Sequence, residues 1–172
     1  MSRDERAAVR EDVIETIERS VEVYGLSRSA GRVYGVLLFA EEPLTIAQLV
    51  DRSGYAKSTI SNVTRKLTRI GMLHRRSSEG GGRRVRFAPE TDLWFVIQDV
   101  YTQYVAREMD LSQRSFDRAR DRLEALDDEA DGDDLERVEE LAQTYGRLQT
   151  LLELAMNHSP EELIEAVRSR EE

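Results

Sequence analysis

The stretch Leu44–Phe87, LTIAQLVDRSGYAKSTISNVTRKLTRIGMLHRRSSEGGGRRVRF, decides the fold predicted for the chain. It predicts two short helices, a strand, a glycine-rich turn and a second strand. The first helix, Thr45–Arg52, opens on a capping box, because Thr45 and Gln48 stand three residues apart and each can satisfy a free amide of the first turn. Gly54 then interrupts the chain, as the turn of a helix-turn-helix unit commonly requires.

The second helix, Lys57–Ile70, has two faces of different chemistry. One face is an apolar stripe that predicts burial, formed by Ile60, Val63, Leu67 and Ile70. The other face carries cations and small polar groups without an acid: Lys57, Ser58, Ser61, Asn62, Arg65, Lys66 and Arg69. Gly71 follows in the usual C-terminal position. This pattern is typical of a helix that enters a DNA groove.

The charge around this helix differs in sign from that of the whole chain. Between Arg52 and Arg86 there are ten Lys or Arg and one acid, so the segment carries +9 while the whole chain carries −9. Like charges gathered in one place repel each other, and a polyanion is the partner that offsets them. A solvated charged face is the alternative, but the coincidence of basic segment, helix pair and β-hairpin favours DNA.

The remaining chain predicts a mainly α fold with a small β-wing, in which a winged helix-turn-helix domain precedes a helical dimerisation extension. Helices are expected before and after the opening stretch, together with a wing around the turn 77–82 and an acidic loop at 127–134. The expected ranges are Asp4–Tyr24, Ser27–Glu41 as the buried central helix, strands Met72–Arg76 and Arg83–Phe87, about 35 helical residues after Pro89, Leu135–Asn157, and a helix from Ser159 to Arg168. We expect three regions. Residues 1–24 would serve packing or dimerisation, residues 25–90 would bind DNA, and residues 91–172 would form the dimer.

Several classes of protein and site are disfavoured by composition. The chain has no cysteine, and its two histidines are too far apart to suggest a metal site. No nucleophile elbow is present, and the glycine triplet lacks the Gly-Lys-Ser/Thr that a phosphate loop needs, so neither an enzyme nor a cofactor is expected. No apolar run approaches a membrane span of roughly 20 residues, and no hydrophobic signal segment opens the sequence. A cytoplasmic protein without a membrane partner is expected.

Lysine is scarce and acid is abundant. The chain has 2 lysines against 23 arginines, 34 acidic residues and a pI of about 4.9. This composition resembles that of cytoplasmic proteins from halophiles, where high negative charge maintains solubility in concentrated salt. Because salt weakens contacts to phosphate, many arginines on one face would be one compensation.

The order of motifs in residues 24–87 resembles the MarR superfamily of winged-helix regulators, and within it the GbsR-like branch. The matching residues are Tyr24-Gly25, Gly31-Arg32-Val33-Tyr34-Gly35, Glu42-Pro43-Leu44-Thr45, Lys57-Ser58-Thr59-Ile60-Ser61, the Arg65–Leu67–Gly71 spacing and Gly82-Arg83-Arg84. The helix-turn-helix alone indicates only a winged helix, whereas the Gly-Arg-x-Tyr-Gly element is more specific to this branch. The resemblance covers a little over a third of the chain.

This resemblance implies a dimeric DNA-binding transcription regulator whose helices outside the winged domain form the dimer. The GbsR-like branch is further associated with genes for uptake or synthesis of osmolytes, glycine betaine and choline in particular. Two departures from the pattern are visible. Ala56 stands where the motif usually has a serine that caps the recognition helix, and the serine–glycine turn of the wing is longer than usual.

The expected DNA contacts divide into two groups. Ser58, Ser61, Asn62 and Arg65 should approach base edges in the major groove, with Arg65 also able to reach phosphate. Phosphate contacts are expected from Lys57, Lys66 and Arg69 on the helix, and from Arg83 and Arg84 on the wing at the adjacent minor groove.

A small-molecule effector is a further expectation, since aromatic rings can surround a quaternary ammonium through cation–π attraction. Trp94, Tyr101 and Tyr104 are the candidate contacts, and Tyr24 and Tyr34 lie on preceding helices. The alternative is that these aromatic residues belong to the core or to the dimer interface. For the whole protein, the rival function is a winged-helix module that binds proteins or a general transcription complex and has no operator of its own.

Overall fold

The computed structural model describes residues 2–77, 85–125 and 132–170. Of these described residues 76% are helical, and a small three-stranded antiparallel sheet accompanies the helices, which confirms the predicted fold class. The chain forms two compact units, Met1–Val96 and Ile97–Glu172.

The first unit is a helical domain with a small sheet. Its elements are α1 (Arg3–Val23), α2 (Arg28–Leu38), β1 (Leu44–Thr45), α3 (Ile46–Ser53), α4 (Lys57–Arg69), β2 (Leu73–Ser77) and β3 (Val85–Pro89), followed by the start of α5 (Leu93–Val100). Their apolar faces meet in one core whose most deeply buried side chains are Val33, Leu37, Leu44, Leu49, Ile60, Leu67 and Leu73. The prediction that α2 is the central buried helix is confirmed, although α2 ends at Leu38 rather than at Glu41.

The three strands are ordered β1-β3-β2, with antiparallel pairing on both sides of β3. Phe87 of β3 lies opposite Leu44 on one side and Arg75 on the other. The predicted wing strands are present: β2 begins one residue later than expected, and the described part of β3 continues two residues beyond the predicted end at Phe87. β1 was not predicted, because a two-residue strand is too short to show an alternating pattern. The predicted wing turn lies outside the described residues, apart from Ser77.

Two glycines allow α1 and α2 to approach closely. A Cβ atom on Gly31 would lie 2.7 Å from the Cα of Glu18, and one on Gly35 would lie 3.0 Å from Cγ1 of Ile14. Between the glycines, Arg32 forms a hydrogen-bonded ion pair with Glu11, and its Nε lies 3.5 Å from Oε1 of Glu18. The Gly-Arg-x-Tyr-Gly element is therefore the contact surface through which α2 packs on α1.

The second unit is formed by the end of α5 and three further helices. A π-helical turn (Tyr101–Val105) continues α5 into α6 (Ala106–Glu124), and α7 (Gly132–Met156) and α8 (Pro160–Arg168) follow. Phe116 of α6 and Tyr145 of α7 pack edge to face, with ring centroids 5.3 Å apart. The long helix predicted after Pro89 is present from Leu93 to Glu124, but the π-helical turn was not predicted.

The acidic loop predicted at 127–134 is wrong at its C-terminal end. Asp133 and Asp134 lie in the first turn of α7, where negative side chains favour the helix N-terminus. The rest of the predicted loop lies outside the described residues.

Ser159 and Glu162 form the predicted capping box of α8, with Pro160 at the first helical position. Across the described ranges, none of the helices combines the length and the apolar character that crossing a membrane demands.

Candidate nucleic-acid interface

The helix-turn-helix is held by local hydrogen bonds and by the core. The backbone N–H of Gln48 donates to Oγ1 of Thr45 at 3.3 Å, and the backbone N–H of Thr45 donates to Oε1 of Gln48 at 2.9 Å. The predicted capping box is thus confirmed. Gly54 ends α3 in the left-handed conformation at φ 74°, which glycine adopts without steric cost. Leu49 is completely buried and fixes α3 against the core.

Burial of one face of α4 leaves the opposite face in solvent. Ile60, Val63 and Leu67 are buried as predicted, and Ile70 is half-buried at the helix end. The predicted DNA-contacting side chains of α4 are exposed, except for the half-buried Ser61: Lys57, Ser58, Asn62, Arg65, Lys66 and Arg69. The structure therefore presents this group of predicted contacts together on one helix.

Three of these side chains take part in hydrogen bonds within the protein. Arg65 Nη1 lies 3.5 Å from Oδ1 of Asn62, at the outer limit of a hydrogen bond. Lys66 Nζ donates to the backbone carbonyl of Gly25 at 3.3 Å, so its ammonium lies towards the end of α1. Lys66 must give up this bond, or share it, to contact a phosphate.

The start of α4 lacks a side-chain cap. Ala56 has the extended N-cap conformation, with φ −62° and ψ 150°, but its methyl group accepts no hydrogen bond. Ser27 and Thr45 provide such caps for α2 and α3. The first turn of α4 therefore lacks the side-chain acceptor that the first turns of α2 and α3 have.

A groove of about 450 Å³ separates α4 from the sheet. Three guanidinium-bearing side chains line it: Arg65 and Arg69 from α4, and Arg75 from β2. Arg75 was not among the predicted contacts. Its position two residues after the buried Leu73 could have indicated it, since strand residues two apart share a face.

Three arginines lie in the segment predicted as the second wing strand. Arg83 and Arg84, predicted to contact DNA, lie outside the described residues. Arg86 is described and is engaged within the protein, because its Nη1 donates to the Pro43 carbonyl at 3.0 Å and lies 3.5 Å from a Glu42 carboxylate oxygen. It therefore links β3 to the segment that leads into α3.

The predicted effector residues belong to both units. Trp94 lies in the first unit and is half-buried. In the second unit, Tyr101 is buried whereas Tyr104 is exposed. Burial, followed by the charges of Glu153 and Asp110, raises the pKa of Tyr101. Of the two tyrosines noted on the preceding helices, Tyr24 is exposed. Tyr34 is buried, and its hydroxyl donates to the Glu90 carbonyl at 2.6 Å.

Glu90 connects several elements at the end of the sheet. One carboxylate oxygen accepts the backbone N–H of Asp92 at 2.8 Å, and the other lies 2.6 Å from Nε2 of His74. The bond from Asp92 and then that from His74 lower the pKa of Glu90. Within the described ranges no group of three or more His, Cys, Asp or Glu is placed to hold a metal ion.

Comparison with known proteins identifies relatives of the chain. Residues 24–84 match the MarR family. The chain is 25% identical over 96 residues to the HTH-type transcriptional repressor OpcR of Bacillus subtilis, covering 56% of this chain and 48% of the relative. It is also 25% identical over 92 residues to the putative HTH-type transcriptional regulator YvaV of the same organism, covering 54% and 48%. The chain thus spans about half the length of these curated relatives, which are named as regulators and not as enzymes.

A solved structure shares the fold over most of the chain. The crystal structure of a transcriptional regulator aligns with a TM-score of 0.60 and 22% identity, covering 86% of this chain and 95% of the other. The identity is low, so the likeness concerns the fold alone. Residues 24–84 therefore resemble the MarR family, and the solved structure agrees with this chain in fold.

Proposed function

We propose that the protein is a sequence-specific duplex-DNA-binding transcription regulator that acts as a dimer. The observation that carries this proposal is the exposed face of α4, where cations and small polar groups are gathered without an acid in an otherwise acidic chain. The family match and the naming of the relatives as a repressor and a putative regulator agree with it. Neither name describes an enzyme.

In the proposed complex α4 enters the major groove. Ser58, Ser61 and Asn62 then contact base edges, and Arg65 reaches a base edge or a phosphate, because hydroxyl, amide and guanidinium groups can match the donors and acceptors exposed there. Phosphate contacts from the rest of α4 and from the wing fix the register without specifying sequence: Lys57, Lys66, Arg69, Arg83 and Arg84. These assignments extend the sequence prediction; the exposure of the described side chains supports them.

A dimer is proposed because the second unit buries few of its own apolar side chains. Among its described residues, Tyr101 and Met109 are the buried hydrophobic side chains. A much larger set is exposed: Ile97, Tyr104, Val105, Leu111, Leu141, Leu148, Leu151, Leu154, Ile164 and Val167. Apolar surface of this extent usually marks an interface, and a second copy would bury the same surface twice. We accordingly assign 91–172 to dimerisation, 25–90 to DNA binding, and 1–24 to packing or dimerisation.

The finer function proposed is that of the GbsR-like branch, with control of genes for uptake or synthesis of osmolytes such as betaine or choline. It rests on the Gly31–Gly35 element of the sequence.

A cytoplasmic location is proposed for the protein because its proposed partner is DNA. The acid-rich, lysine-poor composition further suggests a halophilic protein. The midpoint temperature of its thermal unfolding should then rise with KCl concentration. A midpoint temperature that falls with KCl would contradict the halophilic assignment.

A cationic effector is also proposed, with Trp94, Tyr101 and Tyr104 as candidate contacts. The negative charges of Glu153 and Asp110 act on Tyr101 and would favour a cation nearby. Calorimetric titration with choline and betaine tests this, and the absence of heat with both would remove these ligands. The aromatic side chains would then be assigned to the core or the dimer interface.

The rival function is a winged-helix module that binds a protein or a general transcription complex. Selection of bound fragments from genomic DNA, followed by footprinting of the enriched fragments, distinguishes the two. Protection of a pseudo-palindrome with half-sites about one DNA turn apart supports the proposed regulator. Binding to a transcription complex without any protected site would favour the rival.

A further inference from the structure

The groove between α4 and the sheet differs from the other charged surfaces of the first unit. Among the described residues, its lining contains three arginines and no carboxylate: Ile46, Ser61, Thr64, Arg65, Thr68, Arg69, Arg75 and Phe87. Three other arginines of this unit, by contrast, are paired with carboxylates: Arg28, Arg32 and Arg86. Within the described ranges, no carboxylate lies within ion-pair distance of Arg65, Arg69 or Arg75.

The strand register explains why one arginine of β2 reaches this groove. Arg75 lies opposite Phe87, and both line the groove. Arg76, the next residue, lies opposite Arg86 and is absent from the groove lining. Because successive strand residues point to opposite faces, Arg75 and Arg76 have the same charge and nearly the same position in the chain but face different surroundings.

A hydroxyl group without a partner lies in the wall of the groove. The Oγ1 atom of Thr68 is buried and has no hydrogen-bond partner within the described part of the chain. Thr64, one turn earlier, donates its hydroxyl to the Ile60 carbonyl at 2.8 Å, the usual solution for threonine in a helix. A buried polar group without a partner is unfavourable, and an acceptor entering the groove would relieve this cost after a small rotation of the side chain.

We infer that this groove is a phosphate-binding site, in which Arg65, Arg69 and Arg75 surround the anion and Thr68 donates its hydroxyl to it. Guanidinium groups suit phosphate because their N–H donors match its oxygens in pairs. A cleft lined by one sign of charge also concentrates the opposite ion. The phosphate is carried by the DNA backbone or is free in solution; the first source rests on the proposed function and extends it with Arg75 and Thr68.

Duplex DNA tests the first source through the salt dependence of affinity. Wild type, Arg75→Ala and the matched control Arg76→Ala are titrated with a labelled mixed-sequence duplex over a series of KCl concentrations. Each phosphate contact contributes about one to the slope of log affinity against log salt. We expect Arg75→Ala to lower this slope by about one and Arg76→Ala to retain the wild-type slope.

Inorganic phosphate tests the second source in the absence of DNA. Phosphate is titrated into 15N-labelled protein at constant ionic strength, and amide shifts of Thr68 and Arg75 are followed. A saturable shift that is lost in Arg75→Ala supports a site for free phosphate. A changed DNA slope without such a shift restricts the site to the DNA backbone.

Thr68→Val provides a variant whose folding is not expected to suffer. It removes the unpartnered hydroxyl, so its thermal midpoint should equal or exceed that of wild type while its phosphate or DNA affinity falls. The inference is overturned if the Arg75 and Arg76 variants have equal slopes and phosphate produces no saturable shift. If wild type binds no duplex, the proposed function fails, and the phosphate titration alone then decides for or against the site.

Discussion

Gly31 of α2 lies so close to Glu18 of α1 that a Cβ atom at position 31 would be 2.7 Å from the Glu18 Cα. The obstacle is backbone, which cannot move aside as a flexible side chain can. Gly31→Ala should therefore separate the helices and lower the free energy of unfolding by about 1–3 kcal/mol. Chemical denaturation measures the change.

Gly146 in α7 is the matched control, because the nearest atom to a Cβ there is Oε1 of Gln113 at 4.0 Å. Gly146→Ala should instead raise stability by about 0.5–1 kcal/mol through helix propensity. Equal effects of the two substitutions would show that close approach of α1 and α2 is not the reason for glycine at position 31.

Ala56 occupies the N-cap of α4 without a side-chain hydrogen bond. Ala56→Ser adds an oxygen that can accept an amide N–H of the first turn, and the extended backbone already suits this role. We expect the free energy of unfolding to rise by about 1 kcal/mol. Ser27→Ala at α2, which removes an existing cap to Ala30, should lower it by a similar amount. A loss of stability in Ala56→Ser would contradict the capping geometry described for α4.

The carboxyl group of Glu90 makes the stability of the fold depend on pH. Its pKa is lowered from 4.5, first by the Asp92 N–H and then by His74, so the folded state favours the carboxylate. This contribution is present above pH 4.5 and is lost as pH falls through the lower folded-state pKa. Below pH 4.5, the midpoint temperature of thermal unfolding should therefore depend less on pH in Glu90→Gln than in wild type.

Glu162 retains part of the acid dependence in that variant, because the Ser159 backbone and hydroxyl also lower its pKa. Adding Glu162→Gln should flatten the profile further. An unchanged acid profile in Glu90→Gln would show that the bonds to Glu90 do not contribute to stability.

Leu151 is 63% exposed on α7 and belongs to the apolar surface assigned to the dimer. Leu151→Glu places a charge where a second copy is proposed to pack, so sedimentation velocity should show a shift from dimer to monomer. Gln143→Glu adds the same charge at an exposed polar position of α7 and should leave the dimer intact. Monomeric wild-type protein, or a dimer unaffected by Leu151→Glu, would count against this surface.

The sequence predicted those parts of the first unit that depend on local spacing. The stripe from Ile60 to Leu67 and the Thr45–Gln48 capping box require only neighbouring residues, and both are confirmed. Arg75 was missed because its place in the groove depends on the pairing of β2 with β3 and on the position of α4. The Gly31–Gly35 element resembles a family motif in the sequence, but its packing role depends on α1.

The second unit was predicted less completely. A π-helical turn at Tyr101–Val105 widens one turn without interrupting the apolar pattern, so periodicity gives no sign of it. The DNA contacts and the effector residues remain predictions, since their roles depend on partners outside the chain.

The central claim is that α4 reads duplex DNA, and the most direct measurement is the affinity of Arg65→Ala for a selected operator and for an unrelated duplex at the same salt concentration. Arg107→Ala, which removes an exposed arginine from α6, is the control. We expect Arg65→Ala to lose about 1–3 kcal/mol of operator binding and to discriminate less between the two duplexes, with Arg107→Ala close to wild type. Wild-type affinity and discrimination in Arg65→Ala would contradict the assignment of α4 as the recognition helix.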